Sequence, residues 1–525
     1  MFTITNSIGL FGMNAFPVTI EAEVSRGHNL FDIGGLPDIG IKESRDRVRS
    51  ALESIHITFP KGKVLLNLAP ADVKKTGSSY DLAICVAVLQ AMGAVPDTLQ
   101  DAVFVGELGL HGILHGIRGV LSMTMLARNS GFKRIFVPAD NVREASVIDG
   151  IAVYGIETIG DLVMHLLGQQ PLSPAEPYEP GDVRRPEHII DMADVRGQVK
   201  ARAGMELAAA GGHNILLIGA PGSGKSMLAN RLPTIMPEMS RAEILETTNV
   251  YSVAGLLNKN DPLITERPFR SPHHTVSPAG LIGGGSIPTP GEISLAHNGV
   301  LFLDELAEFG RSTLEILRQP LETREVTISR AAGTAVYPCS IMLVAATNPC
   351  PCGYYGAPNK KCTCSPNQIA SYMNRLSGPL LDRFDMCIDV DPVSFDDLAS
   401  KEKAESSAAI RERVEAARAR QNERFKGTDI YCNAMIPDNM LADCCQMDEA
   451  AEVLLRQAHL RYGLSARAFS RLQRLALTSA DLNGNDHITR SDIAVATQFR
   501  GFASKYLKQS GSASFPTKQG RKENS

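Results

Sequence analysis

Asn214-Ile215-Leu216-Leu217-Ile218-Gly219-Ala220-Pro221-Gly222-Ser223-Gly224-Lys225-Ser226 is the stretch whose reading decides the fold. Its first five residues are an apolar run of strand character, and Lys225 to Leu232 can start a helix. Between them, Gly219 to Ser226 has the spacing G-x-x-x-x-G-K-S. In a strand–loop–helix setting, the loop amides and the helix N-terminus converge on one point and favour phosphate there. Lys225 then reaches the β- and γ-phosphates, and the Ser226 hydroxyl can ligate Mg²⁺. A glycine-rich turn without a ligand is the bland alternative, and the flanking strand and helix speak against it.

Working outward, Val300-Leu301-Phe302-Leu303-Asp304-Glu305 is an apolar strand that ends in two acids. Acids often cap strands, so this alone is weak. Beside a phosphate loop, the first carboxylate, Asp304, can hold hydrated Mg²⁺, and the second, Glu305, can orient and deprotonate a water.

The chain has 525 residues, 44% hydrophobic and 21% charged, with a formal net charge of -4. That is an ordinary globular composition with room for several cores, and it excludes a strong whole-molecule field favouring nucleic acid. No apolar run reaches the roughly 18 residues a membrane helix needs, and Met1 to Phe16 lacks a leader pattern, so a cytoplasmic protein is expected. Residues 169–186, carrying Pro171, Pro174, Pro177, Pro180 and Pro186, read as an extended linker, and 509–525 as a disordered tail. Before the linker, residues 1–168 alternate strand-like runs (Val18 to Val24, Val64 to Leu68, Val103 to Val105, Ile135 to Val137) with helical ones. Ile41 to Ile55 places Ile41, Arg45, Val48 and Leu52 on one helical face, and Asp81 to Met92 is a second apolar helix. Residues 187–391 resume the α/β alternation with strands Asn214 to Ile218, Val300 to Leu303 and Ile341 to Ala345. Residues 392–508 read as all-α, through Lys401 to Phe425, Asp448 to Tyr462, Ala466 to Leu482 and Ser491 to Phe499.

Over nearly its whole length the chain resembles the Mg-chelatase-like AAA+ proteins of the YifB/ComM family. The resemblance is carried by Asp194 to Gln198, Ala208 to Ser226, Arg267 to His274, Pro290 to Glu305, Thr347 to Cys352, Ser377 to Asp385 and Leu464 to Ala468. It implies an AAA+ P-loop core with a parallel sheet, an all-α C-terminal lid, ATP and Mg²⁺ as ligands, and a homo-oligomeric ring, usually a hexamer. It also implies roles for three residues. Asn348 is the sensor-1 residue that positions the lytic water, Arg383 is the arginine finger given to a neighbouring subunit, and Arg467 is the sensor-2 arginine contacting the γ-phosphate. Family members resemble ring helicases that drive DNA branch migration, so single-stranded or branched DNA is the expected partner. Glu325 to Tyr337, with Arg330 and Gly333 near its middle, reads as a β-hairpin that would point into the channel, where Arg330 could meet phosphate. For His273 and His274, followed by Gly283 to Gly285, a packing or turn role stands beside a DNA role.

Cys350-Pro351-Cys352 and Cys362-Thr363-Cys364 lie in one loop, residues 350–364, with little apolar content; four thiolates this close can enclose a structural Zn²⁺, although C-x-x-C is the commoner spacing. Reduced thiols on a flexible loop are the alternative, and the other six cysteines read as core residues. The N-terminal region resembles the Lon-protease fold, with Ser79 in Lys75-Thr76-Gly77-Ser78-Ser79 at or near the nucleophile position. In Gly116 to Leu121, however, Leu121 stands where a lysine base is needed, and Arg118 cannot deprotonate to replace it. This region is therefore expected to be non-proteolytic. Three functions stay open: a DNA-remodelling ATPase motor, a magnesium-chelatase-type motor subunit, and an ATP-dependent protease, the last opposed by Leu121.

Overall fold

The computed structural model describes residues 1–178, 190–285, 287–330, 333–357, 360–399 and 403–507. The 509–525 segment and part of the 169–186 segment lie outside them.

The phosphate loop hangs from a five-stranded, wholly parallel sheet. Its order is Phe269–Arg270, Val300–Leu303, Met342–Thr347, Ile215–Gly219, Met386–Val390. The strands read as continuous apolar runs because helices cover both faces, so neither face reaches water. One face packs a core through Ile215, Leu217, Val300, Phe302, Val344 and Ile388, and the other through Leu216, Ile218, Leu301, Leu303, Leu343 and Ala345. The sequence-derived strands fall within one or two residues of these bounds.

The N-terminal residues build a mixed seven-stranded sheet. Its order is Leu30–Gly34, Lys63–Ala69, Asn14–Ser25, Phe2–Phe11, Ala102–Phe104, Arg134–Pro138, Ala152–Ile156. The Phe2–Phe11 strand was not among the strands read from sequence. Polar Thr3, Thr5 and Ser7 interrupt its apolar pattern, yet all three are buried, with hydroxyls donating to Ala87 O, Gln90 Oε1 and Phe104 O. The helix Asp81–Ala91 is buried all round, as its uniformly apolar sequence requires. The helix Ile39–Ser54 buries Ile41, Ser44, Val48, Ala51 and Leu52. Ser44 takes the place expected for Arg45, which stays at the surface against Asp46.

The two sheets are not independent bodies. Leu10, Phe11 and Met13, from the first hairpin of the chain, pack on the core that contains Val326, Ile328, Ala335 and Tyr337. Ser122 donates to Asn249 Oδ1 at 2.6 Å, and buried Glu144 accepts from Ser252 Oγ at 2.5 Å and from the Leu121 amide at 3.0 Å. After Val390 the named elements are helices, chiefly Ser407–Arg424, Glu449–Tyr462, Ala466–Leu482 and Arg490–Leu507. They pack on the first face of the parallel sheet through Val414, Leu472, Leu475 and Phe499.

Candidate functional site

The Ile215–Gly219 strand ends in the loop, and the helix Lys225–Ile235 begins directly after it. Gly219 is obligatory, since a Cβ there would come within 2.4 Å of the Val390 carbonyl oxygen. Gly224 caps the helix at φ 94, a left-handed conformation that glycine adopts without strain. Lys225 is buried, and its Nζ donates to Gly219 O at 2.8 Å, Ala220 O at 3.0 Å and Asn348 Oδ1 at 3.2 Å. Burial lowers the Lys225 pKa from its ordinary value, against the opposing pull of Asp304 and Glu305. Ser226 Oγ donates to Asp304 Oδ2 at 2.6 Å. Parallel pairing of Ile215–Gly219 and Val300–Leu303 with the Met342–Thr347 strand between them carries Lys225, Asp304, Glu305 and Asn348 to one end of the sheet. They share a cleft of about 380 Å³ with Pro221, Gly222, Ser223 and Ser226.

This cleft fits ATP with Mg²⁺. Ser223 Oγ is buried with no partner among the described residues, and the Lys225 ammonium is held by the carbonyls of Gly219 and Ala220. Glu305 sits at φ 51, a left-handed conformation rare outside glycine that costs of order 1–3 kcal/mol, and such strain collects at functional positions. Its carboxylate is 59% exposed and lies 3.6 Å from His274 Nδ1. His274 lies against His273 with ring centroids 4.1 Å apart and ring planes tilted by 34°. The Phe269–Arg270 strand pairs directly with the acidic strand, so the segment that follows it runs beside Glu305.

Arg383 and Arg467 are not in this cleft. They line a second cavity of about 370 Å³ with Arg324, Arg471, Arg474, Glu322, Asp385 and Asp438. Arg383 is buried and ion-paired to Glu322. Arg471 Nε lies 3.2 Å from Asp385 Oδ1, and Arg474 Nη2 donates to Asp438 Oδ1 at 2.6 Å. Burial lowers the Arg471 pKa, with Asp385 opposing. Sequence reading picked out one of the three helix arginines. The missed signal was the spacing of Arg467, Arg471 and Arg474, at i, i+4 and i+7 on the Ala466–Leu482 helix, which puts them on one face.

Glu325–Arg330 and Gly333–Pro338 pair antiparallel, as the hairpin reading required. Arg330 is exposed, with Nε donating to Gly285 O at 3.4 Å. The four cysteines Cys350, Cys352, Cys362 and Cys364 converge, each Sγ within 4.8 Å of the others. The sulfur–sulfur contacts are 3.4 Å for Cys350–Cys352, 3.7 Å for Cys350–Cys362 and 3.5 Å for Cys352–Cys362. Of the other six cysteines, five are buried and Cys444 is partly so. In the N-terminal sheet, Lys75 is fully buried and donates to the carbonyls of Pro70 and Gly35, while Ser78 pairs with Glu107. Leu121 is buried with Val147 and Ile148, against Leu245 of the core.

A parallel sheet with a phosphate loop, an acidic strand end and a polar residue at the tip of the strand between them defines a nucleotide-binding P-loop core. The family described as magnesium chelatase, subunit ChlI, matches residues 191–398, its C-terminal region matches 404–500, and a further ChlI-subunit family matches 20–141. The chain is 40% identical to YifB of Escherichia coli strain K12 over 501 residues, covering 95% of this chain and 97% of that one. It is 40% identical to the competence protein ComM of Haemophilus influenzae over 502 residues, with the same coverage. A DNA repair protein RadA of Listeria monocytogenes matches at 33% over 99 residues, 19% of this chain and 21% of that one. This chain belongs to the YifB/ComM family of Mg-chelatase-like AAA+ proteins. The family is one of ATPases that use ATP and Mg²⁺ and assemble as oligomers. Among the described residues, no helix is long and apolar enough to cross a membrane.

Proposed function

We propose that this chain is the subunit of a ring-shaped, cytoplasmic ATPase, a hexamer, that couples ATP hydrolysis to remodelling of single-stranded or branched DNA, as a helicase or branch-migration motor. The observation that carries the ATPase reading is the meeting of Lys225, Ser226, Asp304, Glu305 and Asn348 around one loop. Lys225 holds the β- and γ-phosphates, and Glu305 takes the proton of the attacking water that Asn348 orients. Bound by Ser226 and Asp304, Mg²⁺ supplies charge neutralisation to the phosphates. The strained Glu305 carboxylate lines this cleft and is exposed to solvent.

Arg383 and Arg467 act together in trans. They share a cavity away from their own phosphate loop, which supports presentation of the exposed Arg467 to the neighbour's nucleotide, with Arg383 joining it on release from its buried ion pair to Glu322. On this reading the γ-phosphate that Arg467 contacts belongs to the neighbouring subunit. The polypeptide is organised as a Lon-like, non-proteolytic N-terminal domain (1–168), a linker (169–186), the ATPase core (187–391) and an all-α lid (392–508). Absence of peptidase chemistry is supported by Leu121, which lies in an apolar cluster, and by Lys75, whose ammonium is tied to backbone carbonyls.

The DNA reading is supported by the exposed Arg330 at the end of the hairpin, and by relatives that include a competence protein and a DNA repair protein. The cysteine cluster supports a structural Zn²⁺: at a Zn–S distance of about 2.3 Å, tetrahedral ligands stand about 3.8 Å apart, close to the 3.4–3.7 Å among Cys350, Cys352 and Cys362, with Cys364 within 4.8 Å of each. Purified protein incubated with labelled forked or four-way DNA, Mg²⁺ and ATP tests the central reading. ATP-dependent strand displacement or junction migration is expected, with loss in Lys225→Ala. ATP turnover unaffected by any DNA, with no change in the junction, would reject it in favour of a chelatase-type motor. Hydrolysis of casein that disappears in Ser79→Ala would instead restore the protease.

A further inference from the structure

The cysteine loop touches the nucleotide site at two places. Cys350 follows Asn348 by two residues, with Pro349 between them, and Asn348 Oδ1 accepts from Lys225. Three residues after Cys350, Gly353 turns back at φ 82, its amide donating to Cys350 O at 2.9 Å. A Cβ at Gly353 would stand 2.5 Å from Cδ and 2.6 Å from Cγ of Pro221, so the bare backbone of the cysteine loop lies against the proline ring of the phosphate loop. The strand Met342–Thr347 anchors the upstream end of this connection, and on the downstream side Cys362 and Cys364 fold back onto Cys350 and Cys352.

Three of the four sulfurs accept hydrogen bonds from backbone amides. The Tyr355 amide donates to Cys350 Sγ at 3.3 Å, the Cys352 amide to Cys364 Sγ at 3.4 Å, and the Cys364 amide to Cys362 Sγ at 3.4 Å. Such outer donors orient metal-bound thiolates. Four thiolates in mutual contact repel unless a cation sits between them, and few apolar side chains are present to close the loop in its place.

We propose that the four-cysteine cluster is a metal-closed clamp on the ATP site. A soft divalent cation, zinc by its ligand set, closes the loop and thereby presses Gly353 on Pro221 and fixes Asn348 against Lys225. This rests on the zinc reading above and adds to it a consequence for nucleotide affinity. Removal of the cation frees the loop, the Pro221 contact loosens, and Asn348 loses its fixed position, while the strands of the parallel sheet stay paired.

The test uses the full chain purified without chelators, with zinc measured by atomic emission and binding of a fluorescent ATP analogue measured by titration. Wild type should carry one zinc per chain. The double variant Cys352→Ser/Cys364→Ser should lose the metal and bind the analogue about tenfold or more weakly, the size expected for disturbing an outer support of a site. Gly353→Ala leaves all four thiols in place. It should keep its zinc, which also reports a folded loop, and show a comparable loss of affinity through Pro221. Loss of zinc with wild-type analogue binding in the cysteine variant, or wild-type binding by Gly353→Ala, overturns the clamp and leaves the zinc site standing. Wild-type protein that neither contains zinc nor takes up one equivalent overturns both. Because Gly353→Ala retains the metal ligands, the clamp stays testable even where the cysteine variant fails to fold.

Discussion

Two acids at the ends of strands behave differently, and their surroundings say why. Glu305 is exposed and held in a left-handed conformation next to the phosphate loop, so its carboxylate is free to meet water. Glu305→Gln keeps the shape and removes the base. ATP binding by a fluorescent analogue should stay near wild type, while turnover in a phosphate-release assay falls about 10²–10⁴-fold. Equal turnover in the variant would remove Glu305 from the chemistry. Asp385 serves structure. Burial pushes its pKa up, but His213, Arg471 and the Asn214 amide outweigh that and hold it below the ordinary carboxylate value. A carboxyl with a depressed folded-state pKa contributes stability above the unfolded value and loses it as pH falls through the folded one. Asp385→Asn should therefore lower stability at pH 7 by about 1.5–3 kcal/mol, the worth of hydrogen bonds to a charged group. The gap between variant and wild type should close on acidification below the normal aspartate range, as followed by denaturant melts across pH. A gap that stays constant to low pH would show that the charge of Asp385 is not what stabilises the fold.

At the scale of elements, the hairpin Glu325–Pro338 is readable from its alternating pattern, with Val326, Ile328, Ala335 and Tyr337 turned inward. What it packs on is not readable. Leu10 and Phe11 arrive from more than 300 residues upstream, and the end of the first N-terminal hairpin buttresses this one. Arg330→Ala should abolish stimulation of ATP turnover by single-stranded DNA and leave analogue binding unchanged; full stimulation in the variant would take the hairpin out of DNA contact. Phe11→Ala removes a ring that lies about 3.0 Å from the position of a Gly333 Cβ. It should destabilise this contact by about 1–3 kcal/mol, less than a fully buried aromatic, and speed proteolysis of the hairpin. Unchanged cleavage kinetics would show that the N-terminal sheet does not support it. The same limit explains the face of the helix Ile39–Ser54. Periodicity nominates Arg45, but Ser44 is buried because Asp81 of the adjacent helix accepts its hydroxyl.

For the whole molecule, the placement of Arg383 and Arg467 in one cavity, away from the phosphate loop, makes a single chain an incomplete enzyme under the proposed arrangement. Mixing two inactive variants tests this. Arg467→Ala subunits keep an intact Glu305, and Glu305→Gln subunits keep Arg467. Mixed rings should recover ATPase activity if the arginine acts across the interface, and the same should hold for Arg383→Ala with Glu305→Gln. Recovery with Arg383→Ala and none with Arg467→Ala would return Arg467 to the site of its own subunit.

The sequence by itself determined what depends on residues close together in the chain. The phosphate loop needs glycine at fixed steps between a strand and a helix. The acidic strand ends where its apolar run ends, and the two cysteine pairs sit within one loop. Each is a local pattern, so spacing is sufficient to find it. Tertiary structure alone decided which of these patterns share a space. Strand order brings Asn348 between Lys225 and the acids, and the helical C-terminal region carries Arg467 to Arg383 instead of to the ATP cleft. Parallel pairing and helix docking are set by apolar burial between distant segments, which is non-directional and leaves no fixed spacing in the chain.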